Sequence, residues 1–185
     1  GAAYAKSTRF ALYAIAPLFV FAFFFREEIV KILLGPGWDE TADLLAVLAI
    51  AGLFHVLYKV PLTVLHSQKA ARDSAVSQSI FAVIFLTSVL IASSWGMMAV
   101  AIAVTLVTAC NYIALTVQVV TRLSVPAALI LSAHSRGLLP CGWAFVVLFS
   151  THHILNEMIH WAIFMAAAAL FIAAVVLHSL RGIVR

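Results

Sequence analysis

The stretch Arg26–Asp43, REEIVKILLGPGWDETAD, lies between two long apolar runs, and its reading orders the rest of the chain. It gathers five of the seven acids, Glu27, Glu28, Asp39, Glu40 and Asp43, around a Gly35-Pro36-Gly37 breaker. Upstream, Phe10–Phe25 is apolar throughout, with Lys6 and Arg9 at its start and Pro17 inside; downstream, a second run reaches His66. A charged breaker between segments of that length reads as a corner outside a bilayer. Trp38 then sits at headgroup depth, where amphipathic rings collect.

Composition agrees. Of 185 residues, 65% are hydrophobic and only 10% charged, and the mean hydropathy of +1.13 is far above that of a domain whose surface must be wetted. A membrane helix needs about 20 mostly apolar residues, so the chain accommodates six with short connections and no soluble domain between them. The net charge of +4 does not point to nucleic acid, because the basic residues stand singly at the ends of apolar runs. Cys110 and Cys141 fall in apolar surroundings without ligand spacing and read as packing residues. The chain opens on Gly1 and not Met, and is expected to be part of a longer protein.

The pattern predicts an all-α polytopic membrane protein with helices over about 10–34, 41–66, 77–92, 97–120, 140–155 and 161–180. Pro17 predicts a kink in the first, since membrane helices tolerate interior proline. Lys59 and Pro61 interrupt the second. Ser93-Ser94-Trp95-Gly96 is an uncharged turn, making the third and fourth a hairpin. The segment 124–137 differs: Ser124 is a candidate N-cap with Pro126 near the first turn, and a short interfacial helix is expected there. With the N-terminus inside, the inner ends carry Lys6, Arg9, Lys69, Arg72, Arg122, Arg136, Arg181 and Arg185, eight of the eleven basic residues. The outer corners carry Arg26 and Lys31. Positive charge marks the inner side, so both termini are expected in the cytoplasm.

Polar residues inside the apolar runs are the candidate functional groups. His55, Lys59, Thr63 and His66 recur at helical spacing within one quadrant of the second helix. An intramembrane lysine costs about 2.5–3.5 kcal/mol to insert and usually faces a bundle interior or a watery cavity. One reading is therefore a cationic stripe that meets an anionic headgroup such as a pyrophosphate. The other is that Lys59 snorkels to nearby headgroups, helped by Pro61. Thr108, Asn111, Gln118 and Arg122 share a face of the fourth helix; hydrogen bonding between helices is the first reading and substrate contact by Asn111 and Gln118 the second. Ala162, Ala166, Ala169 and Ala173 read as a close-packing seam.

His152, His153, Glu157 and His160 lack the two-histidine, adjacent-glutamate pattern of zinc hydrolases. No metal, cofactor or catalytic residue is expected. Nor does any acid fall in the middle of an apolar run.

In order, a kinked helix, IVKILLGPGW, DLLAVLAIAGLF, PLTVLHSQKAARDS, an uncharged turn, GMMAVAIAVTL and RLSVPAALIL…RGLLP resemble the carboxy-terminal part of polysaccharide biosynthesis proteins of the Wzx-type oligosaccharide flippase family. The resemblance spans nearly the whole chain, with LLGPGW its sharpest piece. It implies the two-lobed fold of the multidrug, oligosaccharidyl-lipid and polysaccharide exporters, this chain supplying the last six helices and lacking the first lobe. Two departures stand out. Gln68-Lys69 replaces a frequent glycine, and Lys59 matches no family motif.

The expected function is flipping of a lipid-linked oligosaccharide across the cytoplasmic (inner) membrane, with membrane lipids and the missing amino-terminal lobe as further partners. The candidate substrate-binding residues are His55, Lys59, Thr63, His66, Asn111 and Gln118. A small-molecule exporter of the same fold, or a membrane-embedded envelope-synthesis enzyme, is the alternative.

Overall fold

The computed structural model describes residues 2–67, 71–126 and 128–139, together with the isolated positions 142 and 166; these are helical apart from short turns, and no strand occurs among them. The helices are α1 (Ala2–Phe24), α2 (Arg26–Leu34), α3 (Asp39–Leu57), α4 (Lys59–Ser67), α5 (Ala71–Ser93) and α6 (Met97–Leu123), followed by a helical segment, α7, over 128–139. Among the described residues four spans are long and apolar enough to cross a membrane: Tyr4–Phe24, Asp39–Ser67, Ala75–Ser93 and Met97–Arg122. The shortest, 19 residues, is about 28 Å at 1.5 Å per residue, close to the hydrocarbon thickness. The expected helices over 140–155 and 161–180, the alanine seam and the His152–His160 cluster lie outside the described residues.

The first expected helix is longer and differently broken. It begins at Ala2, where alanines favour helix and Tyr4 and Thr8 find buried positions. It runs unbroken through Pro17 and breaks instead at Phe25, whose φ of −100° and ψ of 26° depart from helical values. The hydrogen bonds Phe25 N–H to Phe21 O and Ile29 N–H to Phe25 O, both 2.9 Å, carry the chain across the bend. Phe25 is buried, so the bend is fixed by packing. The corner then closes through Gly35 and Gly37, at φ 85° and 93°, a region that costs other residues about 1–2 kcal/mol. Arg26 reaches across it to Asp43 at 3.5 Å, tying the start of α2 to the first turn of α3.

The second expected helix is one span in two pieces. Tyr58 separates α3 from α4, and Pro61, three residues on, has no N–H for the Leu57 carbonyl. The expected hairpin is present: α5 turns through Gly96, at φ 94°, and packs along α6. Ser124 departs from its expected role. It closes α6 in the left-handed conformation, φ 49° and ψ 35°, while the Pro126 carbonyl accepts the Leu129 N–H at 2.9 Å and so opens the next turn.

Packing sets α3 between α1 and α6, with α5 outside α6. Small residues permit the close approach: Ala42, Ala46, Ala49 and Ala51 of α3 are buried, and a methyl group added at Gly52 would lie 2.8 Å from Cζ of Phe19 on α1. With no hydrophobic drive between helices in lipid, such contacts supply the association. One core cluster, Leu12, Ala16, Leu57 and Tyr112, joins α1, α3 and α6. A second, Tyr4, Leu65, Leu115, Val119, Val125 and Ile130, gathers the start of α1, the end of α4, the end of α6 and α7 at one end of the bundle. Only 6% of the α5 span is buried, against 28% of the α3–α4 and α6 spans, so α5 presents an almost bare apolar face.

Candidate functional site

Breaking the second span at Tyr58 redistributes the expected polar stripe. His55, Lys59, Thr63 and His66 are all exposed, and Lys59 and Thr63 line a common groove. That groove, about 300 Å³, runs between α1 and α4 and is completed by Ser7, Ala11, Val56, Val60 and Val64. The Thr63 hydroxyl donates to the Lys59 carbonyl at 2.8 Å, which leaves its oxygen able to accept one bond from a ligand. His55, on the far side of the break, sets its ring edge-on to Tyr58 at 5.1 Å. Lys59 lies eight residues before Ser67, about 12 Å along the helix. It therefore lies inside the membrane-length span Asp39–Ser67, roughly two turns from its end.

Asn111 and Gln118 belong to a different groove. It has a volume of about 370 Å³ between α5 and α6 and is walled by Ile80, Phe81, Ile84, Leu106 and Val107, so it is apolar except along one rim. There Gln118 Nε2 donates to Ser77 Oγ at 3.2 Å, the bond between helices expected of this face. Asn111 is buried, and its Nδ2 has no partner. Thr108 does not bridge helices; its hydroxyl donates to Val104 O at 2.7 Å in its own helix. Thr105 comes closest to a bridge: its one hydroxyl hydrogen is shared between Ala101 O of its own helix, at 2.8 Å, and Val47 O of α3, at 3.3 Å. Cys110 is exposed on the groove wall, not packed as expected. One helical step from Asn111 turns it toward α5. The six expected site residues therefore divide: Lys59 and Thr63 line one groove, Asn111 and Gln118 another, and His55 and His66 are exposed outside both.

A third polar cluster escaped the sequence reading. Tyr4 and Thr8 on α1, at 2% and 1% exposure, are both buried with unpartnered hydroxyls. Tyr112 on α6 hydrogen-bonds to Nε2 of His134 on α7. Thr116, one turn on, approaches the Tyr112 hydroxyl without completing a well-formed hydrogen bond. The signal was present as two four-residue pairs, Tyr4–Thr8 and Tyr112–Thr116, each placing polar groups on one helix face. Neither pair announces that the two faces meet.

Fold and grooves define a helical bundle with the dimensions of a multi-pass membrane protein. No family model, curated protein or solved structure matches the chain.

Proposed function

We propose that this chain is the carboxy-terminal part of an alternating-access transporter that moves a polyprenyl-pyrophosphate-linked glycan from the inner to the outer leaflet of the cytoplasmic membrane. The supporting observation is Lys59, exposed in a groove with Thr63 and Ser7 partway along a membrane-length span. A cation there is costly unless it meets water or an anion. The groove lies on an outer face of the bundle, where an amino-terminal lobe would close a cavity over it, and rocking of the two lobes would expose it to each side in turn.

The bias of Lys and Arg toward one set of ends supports cytoplasmic termini. The prenyl tail needs no cavity, since the almost bare face of α5 offers it an apolar surface within lipid. A cationic small-molecule substrate fits less well, because Lys59 would repel it.

The test is flipping of lipid-linked oligosaccharide by the full-length protein in proteoliposomes. Lys59→Ala is expected to slow transport about tenfold or more, the loss of one charge-assisted bond, while Lys59→Arg retains it. Unchanged flipping by the alanine variant would remove the groove from the transport path.

A further inference from the structure

The Tyr112–His134 pair has a feature that packing alone does not require. The His134 Nδ1 lies 2.7 Å from the Ile130 carbonyl. A carbonyl only accepts, so Nδ1 carries the hydrogen. In the neutral ring Nε2 is then a bare acceptor, and the bond to Tyr112 is donated by the phenol. A proton added at Nε2 turns that nitrogen into a donor. The Tyr112 oxygen must then accept, and its own hydrogen must turn to another acceptor. The Thr116 hydroxyl beside Tyr112 is buried and unpartnered. The cluster thus holds an acceptor for the reversed arrangement.

The charges on the surrounding segments are of one sign. The segments packed against His134 carry Lys6 and Arg9 on α1, Lys59 and His66 on α4, Arg122 on α6 and Arg136 on α7 itself, all exposed, and these segments contain no acid. The other titratable groups around the pair are the phenols of Tyr4 and Tyr58. A cation formed here has hydroxyls around it and no carboxylate, and such a charge strains the packing that encloses it. That packing is close. Ile130 sits in the core cluster, and a methyl group at Gly137 would lie 2.8 Å from Cβ of Leu12.

We propose that His134 is a proton-binding latch: the neutral imidazole docks α7 onto α1 and α6 through the Tyr112 hydroxyl, and a proton taken up at Nε2 reverses that bond and loosens the helix. The proton is taken from hydronium, whose O–H bond breaks as the N–H bond forms, and no other covalent bond of the protein changes. The latch stands on this cluster alone and does not depend on what the protein transports.

Hydrogen exchange of the 128–139 amides, measured in the full chain in lipid nanodiscs and corrected for the intrinsic pH dependence of exchange, reads the docking directly. Protection is expected to fall about five- to tenfold between about pH 8 and about pH 5, the imidazole range and the scale of one net hydrogen bond. In His134→Asn the fall is absent. In Tyr112→Phe protection is low at both values. Equal protection at both pH values in the unmodified chain, or a fall of the same size in His134→Asn, overturns the latch. Should the asparagine variant fail to fold, nitrogen NMR of labelled histidine decides: Tyr112→Phe must shift the Nε2 resonance of one imidazole, and no shift refutes the pairing.

Discussion

Replacing Gly52 tests the α1–α3 contact on which the bundle is built. A Cβ built there lies 2.8 Å from Phe19 Cζ, 3.3 Å from Cδ1, and closest to Cε1. Carbon atoms rest comfortably at about 3.5–4.0 Å, so the ring must retreat by more than an ångström. It has somewhere to go, because Phe19 borders a shallow apolar groove with Val20, Phe23, Phe24, Ala49, Ile50 and Leu53. Alanine therefore loses about 1–3 kcal/mol to overpacking and regains about 1 kcal/mol of helix propensity, for a net loss of about 1 kcal/mol. Valine adds two more atoms to the same gap and surrenders part of that propensity, so Gly52→Val is expected to lose about 3 kcal/mol. Equilibrium unfolding in mixed micelles measures both. Phe19→Leu, which shortens the obstructing ring, should recover more than about 0.5 kcal/mol of the valine loss in a double-mutant cycle. Full stability of Gly52→Val, or a cycle with no coupling to Phe19, would show that α1 and α3 do not meet at this pair.

Two further outcomes follow from the helix contacts. Thr105→Val removes the hydroxyl shared between Ala101 O and Val47 O while keeping the shape, and should cost no more than about 0.6 kcal/mol in the same unfolding measurement, with Thr105→Ser close to unmodified. Cys110 opens onto the apolar α5–α6 groove, so in membranes of a Cys141→Ser variant it should react with a lipid-soluble maleimide and resist a charged, impermeant one. Ile84→Trp, which fills the groove, should slow that reaction.

The fold was legible where a signal is local. Hydropathy alone places all four described spans, Gly35 and Gly37 mark the corner that closes α2 against α3, and Pro61 marks the split between α3 and α4. What escaped depends on neighbours. Phe25 breaks the first span because a buried ring and the Arg26–Asp43 pair hold it there, whereas the sequence signal, Pro17, lies within a continuous helix. Ser124 carries the composition of an N-cap, but its conformation is set by the end of the helix before it.

The candidate site shows the same limit. Helical spacing put Lys59 and Thr63 on one face, and they do share a groove. The same spacing could not foresee that Tyr58 would part His55 from them, or that Asn111 and Gln118 would face α5. The Tyr112–His134 bond joins residues that are far apart along the helices and near only in the bundle. Periodicity within one helix has no access to such a contact.

The most direct test of the transport reading is whether water reaches the Lys59 groove. In the full-length protein with Cys110→Ser and Cys141→Ser, a cysteine placed by Thr63→Cys should react with a charged, membrane-impermeant thiol reagent, and a lipid-linked pyrophosphate should protect it. Reaction with lipid-soluble reagents alone would put the groove against acyl chains, and Lys59 would then be a snorkelling residue with no part in transport.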